Sequence, residues 1–147
     1  MSPLPLSAAM QDYLEVILDL SRQKGTVRVT DIAKRLDLTK ASVSQALNQL
    51  REQEFIFQEH YGPVELTALG KKYALIVRYR HEVLRSFLVK VLGIDQQAAE
   101  KDACLMEHVI SSETTERLVD FLIENGYCPD GFGYIEDEIA LLTPKSL

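Results

Sequence analysis

Residues 28–51 of this chain have the sequence RVTDIAKRLDLTKASVSQALNQLR. The pattern predicts a short helix that Thr30 or Asp31 caps. A break at residues 37–38 follows, and Thr39 is placed to cap a second helix that continues to residue 51. The segment is therefore predicted to form two short helices joined by a tight turn.

Two runs of aromatic and β-branched residues follow this helical pair. They occupy residues 55–59 and 64–67, and the turn sequence HYGP separates them at residues 60–63. Such runs around a Gly-Pro turn predict a β-hairpin. Two short helices followed by a hairpin form a winged helix-turn-helix, in which the second helix of the pair enters the major groove of DNA.

The helix after Thr39 has one apolar face and one small, polar face. Val43, Leu47 and Leu50 lie at i, i+4 and i+7 and are predicted to face the core. The candidate DNA-binding residues are Arg28, Thr39, Lys40, Ala41, Ser42, Ser44, Gln45, His60 and Tyr61. Ser and Gln side chains can bond to base edges, and a lysine suits a phosphate. The alternative is an amphipathic helical hairpin whose polar face is only solvated.

The distribution of charge supports DNA binding, although the net charge of the 147 residues is −6. Residues 1–19 carry −3, residues 20–90 carry 13 basic and 7 acidic side chains, and residues 91–147 carry 3 basic and 12 acidic ones. A basic middle between acidic ends is expected of a DNA-binding domain joined to an acidic second domain. Chance clustering of charge is the alternative.

Composition indicates a globular protein in a reducing compartment. A hydrophobic content of 46% supports a packed core. No apolar run is long enough to cross a bilayer, and residues 1–5 lack the basic start of a signal peptide. Two cysteines without secretory context, Cys104 and Cys128, favour the cytoplasm over a disulfide framework, and Cys128 is interpreted as structural.

Helical periodicity predicts a mainly α fold on both sides of the winged helix. Ser7 is placed to cap a first helix that ends near Gly25, and residues 27–29 resemble a short strand. After the hairpin, helices are predicted over residues 69–92, from an Asp95 cap to residue 110, and from Ser112 to residue 125. A loop over residues 127–133 and a short terminal helix complete the chain. A domain boundary is expected near residue 75.

Three of these helices carry metal-ligand residues at spacings that share one helix face. The candidate ligands are Asp12 and Glu15 on the first helix, His81 on the long helix, and Cys104, Glu107 and His108 on the next. A mixture of carboxylate, imidazole and thiolate suits Mn²⁺, Fe²⁺, Co²⁺, Ni²⁺ or Zn²⁺ rather than Mg²⁺ or Ca²⁺. Each residue alone has a structural explanation, such as a small core cysteine. A single ion would explain all six placements together.

Several blocks of sequence resemble one known family over nearly the whole chain. The blocks are MQDYLE at residues 10–15, RVTDIA at 28–33, SVSQ at 42–45, LTALG at 66–70, YRHE at 79–82 and CLMEH at 104–108. In this order they resemble the diphtheria-toxin-repressor and manganese-transport-regulator family of bacterial metal-dependent repressors. The resemblance implies a homodimer with a winged-helix domain over residues 1–74 and a helical metal-binding and dimerisation domain over residues 75–147. It also implies that the six candidate residues are the metal ligands.

The resemblance is mixed at the metal ligands. Asp12 with Glu15 is similar to the manganese-sensing branch, whereas Cys104 is similar to the iron-sensing branch. Arg85 stands where the iron type has a carboxylate of an ancillary site, so the resemblance does not extend to that second site, and the number of ions per subunit stays open. The chain ends without the SH3-like domain of the iron type, and residues 129–133 follow the family's loop only loosely.

The function expected from these features is repression of manganese or iron uptake genes. Loading with Mn²⁺ or Fe²⁺, for which Co²⁺, Ni²⁺ or Zn²⁺ can substitute, is expected to fix two recognition helices on a palindromic operator. Two alternatives stay open from the sequence. One is a winged-helix regulator that senses an organic ligand. The other is a thiol or metal-assisted hydrolase using Cys104, Glu107 and His108, which the absence of a nucleophile elbow disfavours, so that no enzymatic activity is expected.

Overall fold

A computed structural model describes residues 6–127 of the chain. This part divides into two compact units, Leu6–Ala74 and residues 75–127. The elements in chain order are α1 (Ala8–Lys24), α2 (Val29–Leu36), α3 (Lys40–Glu52), β1 (Ile56–Gln58), β2 (Val64–Leu66), α4 (Ala68–Ser86), a π-helical segment (Phe87–Val91), α5 (Gln96–Met106) and α6 (Ser112–Glu124). The mainly helical fold with one hairpin is confirmed. The predicted loop and short helix after Tyr127, and Cys128, lie outside the described residues.

In the N-terminal unit, short side chains fix where α1 and α3 begin. The Ser7 hydroxyl accepts a hydrogen bond from the Met10 amide at 3.2 Å, and the Thr39 hydroxyl accepts one from the Ser42 amide at 3.1 Å. Both are the predicted caps, and each satisfies an amide that the first turn leaves without a partner. α1 ends at Gly25, whose φ of +80° is easily reached by glycine.

α2 begins at Val29, which is earlier than the predicted caps Thr30 and Asp31. The Asp31 carboxylate instead reaches back and accepts the Arg28 amide at 3.0 Å, so that Asp31 stabilises the start of the helix from inside its first turn. Lys24 holds the same carboxylate with an ion pair of 2.6 Å. The predicted break after α2 is present, and Asp37 makes it in the left-handed conformation with φ 54°.

The hairpin pairs β1 and β2 antiparallel, with Phe57 opposite Glu65. The predicted strand at residues 27–29 is reduced to one bridge between Val27 and Val64, and Val29 belongs to α2. The core of this unit is apolar and includes Val43, Leu47 and Leu50, as predicted from their spacing. Its other buried side chains include Leu14, Ile17, Ile32 and Val64.

The start of α4 is packed tightly against residues 54 and 55, which follow α3. The Thr67 hydroxyl donates to the Glu54 carbonyl at 2.6 Å and accepts the Gly70 amide at 3.1 Å. A Cβ on Gly70 would overlap the carbonyl oxygen of Phe55. Glycine is therefore required at this position because the backbones approach closely.

The C-terminal unit departs from the predicted helices at three points. The predicted helix over residues 69–92 is α-helical only as far as Ser86, and a π-helical turn occupies Phe87–Val91. α5 ends at Met106 rather than at residue 110, and the cap of α6 is Ser111 rather than Ser112. Asp95 caps α5 as predicted, accepting the Gln97 amide at 3.1 Å.

A small apolar cluster forms the core of the C-terminal unit. Val83 on α4 and Val119 and Leu122 on α6 are its buried members. Tyr79, Phe87, Val91 and Leu118 pack against them. The cluster fixes the face of α4 that includes Val83, and His81, two residues earlier and so on another face of the helix, contacts Glu100 and Cys104 of α5. No helix within residues 6–127 has the length and apolar character needed to cross a membrane.

Candidate metal centre and nucleic-acid interface

His81 is the centre of a buried polar cluster in the C-terminal unit. Its residue is only 6% exposed, and both ring nitrogens face carboxylates. Nδ1 lies 2.8 Å from the Glu107 Oε2 atom, and Nε2 lies 2.9 Å from the Glu100 Oε1 atom. Two acceptors on opposite sides of an imidazole favour its doubly protonated, cationic form.

The two carboxylates determine the protonation of His81. Burial by itself lowers the pKa of His81, but the hydrogen bond and charge of Glu107, together with those of Glu100, raise it to about 9. In the protein without metal, a proton on His81 therefore offsets the negative charge of the cluster near neutral pH. A metal ion that uses this imidazole must displace that proton.

The three residues predicted around the end of α5 lie in the same cluster. The Cys104 Sγ atom is 3.8 Å from the His81 Nδ1 atom, and the His108 Nε2 atom is 3.6 Å from the Glu107 Oε1 atom. Glu107 is 1% exposed, whereas Cys104 is exposed to solvent. Because α5 ends at Met106, Glu107 occupies the C-cap position, and its side chain is directed into the interior.

Glu100 belongs to this cluster, although it is not among the six predicted ligands. Donor atoms of His81, Glu100 and Cys104 all lie within 4.8 Å of one another. Glu100 precedes Cys104 by four residues on α5, so the same one-face spacing that selected Cys104 would also have found it. An imidazole, a carboxylate and a thiol at these separations form a donor set that fits a borderline divalent transition ion.

The structure thus brings together four of the six predicted ligands. His81, Cys104, Glu107 and His108 lie within the C-terminal unit and contact one another as described. Asp12 and Glu15 lie three residues apart on α1 of the N-terminal unit, and both are partly exposed. Their membership of the ligand set stays a prediction.

The nine predicted DNA-binding residues are all exposed on the N-terminal unit. Thr39 is partly engaged within the helix, since its hydroxyl caps α3 and donates to the Ser42 hydroxyl at 2.9 Å. The other five on α3 leave its N-terminal half open to solvent, while the buried face is apolar. This arrangement matches that of a helix presented to a major groove.

A groove connects α3 to the hairpin turn. It has a volume of about 470 Å³ and is lined by residues from the start of α2, from α3 and from residues 58–62. At the turn, Tyr61 is 89% exposed and has a φ of +58°, an uncommon conformation for a residue other than glycine. The rings of His60 and Tyr61 lie 4.1 Å apart. The lining includes side chains that can donate hydrogen bonds, among them Arg28 and Ser44.

Asn48 and Arg51 line this groove and were missed from the sequence. They follow Ser44 by four and seven residues, which places them on the same face of α3. The Arg51 Nη2 atom donates to the Asn48 Oδ1 atom at 2.6 Å, so the guanidinium is held beside the groove. Both extend the polar face by a further two turns and add a cation suited to phosphate.

Comparison with known proteins covers both units. Residues 5–64 match a family described as the iron dependent repressor N-terminal DNA binding domain, and residues 67–132 match its metal binding and dimerisation domain. The regulator named HTH-type transcriptional regulator MntR from Shouchella clausii is 37% identical over 114 residues, which is 78% of this chain and 79% of the relative. The protein of the same name from Bacillus subtilis is 35% identical over 78% of this chain and 80% of its own length.

Solved structures show the same fold. A manganese-dependent transcriptional repressor in complex with manganese is 30% identical and matches with a TM-score of 0.69, covering 81% of this chain and 53% of that one. A hypothetical protein from Sulfolobus solfataricus is 27% identical with a TM-score of 0.67, covering 86% of this chain and 96% of that one. The chain therefore spans about half the length of the manganese-bound repressor but nearly all of the second protein.

Proposed function

Because the chain belongs to the diphtheria-toxin-repressor and manganese-transport-regulator family, we propose that it is a metal-dependent transcriptional repressor. It binds operator DNA as a homodimer when loaded with Mn²⁺ or Fe²⁺ and represses genes for uptake of that metal. The operator is palindromic, in accordance with the two-fold symmetry of a dimer. As a transcription regulator it acts in the cytoplasm, and we assign it no catalytic role.

The observation that carries this proposal is the cluster of side chains around His81. Five side chains with metal-binding atoms come from two short stretches of one unit, and two of them, His81 and Glu107, are almost completely buried. Burying a carboxylate and an imidazole without a strong reason is costly. A sensor of an organic ligand requires none of these groups, and one solved structure similar to this chain is a manganese-dependent transcriptional repressor.

The negative charge of its carboxylates makes this cluster suited to binding a cation. A bound divalent ion supplies positive charge that neutralises the carboxylates and a thiolate. Before that, the proton on His81 performs part of this role, held between Glu107 and Glu100. On loading, His81 releases this proton and Cys104 releases its thiol proton, since ligands bind in their deprotonated forms. Loading is therefore expected to be stronger at higher pH.

The sequence extends the ligand set to Asp12 and Glu15, which belong to the DNA-binding unit. We propose that these two acids couple loading to DNA affinity, with a coupling free energy of roughly 1–3 kcal/mol. Reciprocity then requires DNA to raise metal affinity by the same factor. Asp12→Asn with Glu15→Gln should weaken this coupling while leaving the cluster around His81 intact.

The decisive experiment measures DNA affinity with and without metal. A duplex is first selected from a random pool with the Mn²⁺-loaded protein, and its binding is then followed by fluorescence anisotropy in excess Mn²⁺ or in chelator. Loading should raise affinity by about tenfold or more. Glu107→Gln should abolish this gain, whereas Glu116→Gln, the same change at an exposed position of α6, should retain it. Equal affinity in Mn²⁺ and chelator for the unmodified protein would contradict the proposal.

A second experiment addresses the choice of ion. Thiolate favours iron or a softer ion, while paired carboxylates favour manganese. Cys104→Glu is expected to shift the preference in DNA-binding titrations toward Mn²⁺, and Asp12→Met is expected to shift it toward Fe²⁺. Unchanged selectivity in both variants would show that these residues do not contact the ion.

A further inference from the structure

Arg85 lies beside the metal cluster, one helical turn after His81 on α4. Its Nη2 atom donates to the Glu82 Oε2 atom at 2.8 Å, and its Nε atom is 4.0 Å from the Glu100 Oε2 atom. The other oxygen of Glu100, Oε1, lies 2.9 Å from the His81 Nε2 atom. The carboxylate of Glu100 is thus shared between an imidazole on one side and a guanidinium on the other.

The two nitrogens of His81 therefore face different surroundings. The Nδ1 side contains Glu107 at 2.8 Å and the Cys104 sulfur at 3.8 Å. The Nε2 side contains Glu100 and, through it, Arg85. Both sides contain acceptor atoms that suit a cation. Only the Nε2 side lies next to a permanently charged group, which is the Arg85 guanidinium.

A guanidinium is a poor neighbour for a second divalent ion. It remains protonated at every pH that the protein meets, it has no lone pair to offer, and it repels positive charge. Its bond to Glu82 engages one carboxylate, and its approach to Glu100 partly neutralises another. Side chains of Arg85 and Glu82 are 29% and 20% exposed, so solvent weakens but does not remove these effects.

We propose that Arg85 is a resident cation that takes the place of a second metal ion, so that each subunit binds one divalent ion. This rests on the proposed function, because it presumes that the cluster around His81 binds metal. Arg85 is then a specificity-determining residue, because it sets the number of ions that each subunit binds.

The test is the stoichiometry of Mn²⁺ on the full chain. Metal bound after equilibrium dialysis is counted by elemental analysis, and electron paramagnetic resonance distinguishes an isolated Mn²⁺ from an exchange-coupled pair. The unmodified protein should hold one ion per subunit with the spectrum of isolated Mn²⁺. Arg85→Glu should hold two, with affinity for the second raised about tenfold or more, and Arg85→Lys should hold one because the charge is kept.

A control variant and the possible failures separate this proposal from the proposed function. Lys90→Glu makes the same change of charge at an exposed position of the same unit and should leave one ion per subunit. Two ions on the unmodified protein, or one ion on a folded Arg85→Glu variant, would overturn the role of Arg85 while leaving metal sensing intact. Should Arg85→Glu fail to fold, Mn²⁺ per subunit is counted on Arg85→Gln, which also removes the positive charge. Two ions on this variant would support the role of Arg85, and one ion would overturn it. No bound ion on the unmodified protein would overturn the proposed function, and this inference with it.

Discussion

Replacing Glu107 by glutamine tests whether its charge holds the proton on His81. The substitution keeps the size of the side chain and an oxygen that can accept the hydrogen bond now made at 2.8 Å. What it removes is the negative charge next to the imidazole. In the protein without metal, the variant should be less stable at acidic and neutral pH, and this deficit should decrease at alkaline pH.

The magnitude follows from the pKa of His81. A rise in this pKa from 6.5 to about 9 corresponds to roughly 3 kcal/mol in favour of the protonated ring. Part of it belongs to Glu100, whose side chain is 55% exposed and therefore screened by solvent. We expect Glu107→Gln to cost about 2 kcal/mol at pH 6.

The pH dependence has a definite sign. Because the folded pKa of His81 lies above its unfolded value, the stabilisation is complete below about 6.5 and is lost as the pH rises through about 9. Urea unfolding in chelator at pH 6 and at pH 10 measures both limits. Glu116→Gln is the matched control, because it makes the same change at an exposed position. An equal cost for Glu107→Gln at both pH values would refute the reasoning.

Three further predictions concern the DNA-binding unit. Gly70→Ala should lower the free energy of unfolding by at least about 2 kcal/mol in urea titrations, because its Cβ would lie 2.9 Å from the Phe55 carbonyl carbon; a neutral effect would contradict the packing. Arg28→Gln should reduce the slope of log affinity against log salt by about 0.9 in anisotropy titrations, as expected for one lost phosphate contact; an unchanged slope would exclude that contact. Tyr61→Gly should relieve the left-handed backbone and leave stability unchanged or up to about 1 kcal/mol higher, while DNA affinity falls about tenfold. Lower stability with unchanged affinity would show that the turn is structural.

Structural features that depend only on residues close together in the chain could be predicted from the sequence. Ser7, Thr39 and Asp95 cap their helices by bonds to amides two or three residues ahead, and such bonds require no tertiary contact. The break at Asp37 and the hairpin turn are equally local. The exception is α2, which begins earlier than predicted because Asp31 acts backwards on the Arg28 amide rather than as the cap itself.

Features decided by tertiary contacts were not predictable. The spacing of apolar residues over 87–91 is compatible with an α-helix or a π-helix. The π-helical turn could therefore not be predicted from the sequence. α5 has no glycine or proline to end it, and the end at Met106 places Glu107 against His81. Glu100 lies one helical turn before Cys104, so spacing alone makes it a candidate, but only its contact with His81, 19 positions earlier in the chain, distinguishes it from an acid on a solvated helix face.

The clustering of five donor side chains within one compact unit has a consequence for how such regulators diversify. Under the proposed function, most ligands of the ion lie between His81 and His108, whereas Asp12, Glu15 and the residues that contact DNA belong to the other unit. A few substitutions between His81 and His108 can then change the choice of ion without altering the residues that contact DNA. A chimera that joins residues 81–108 to the winged helix of another regulator should take its operator from that winged helix, and should keep the ion preference of this chain only if the winged helix has acids at the positions of Asp12 and Glu15.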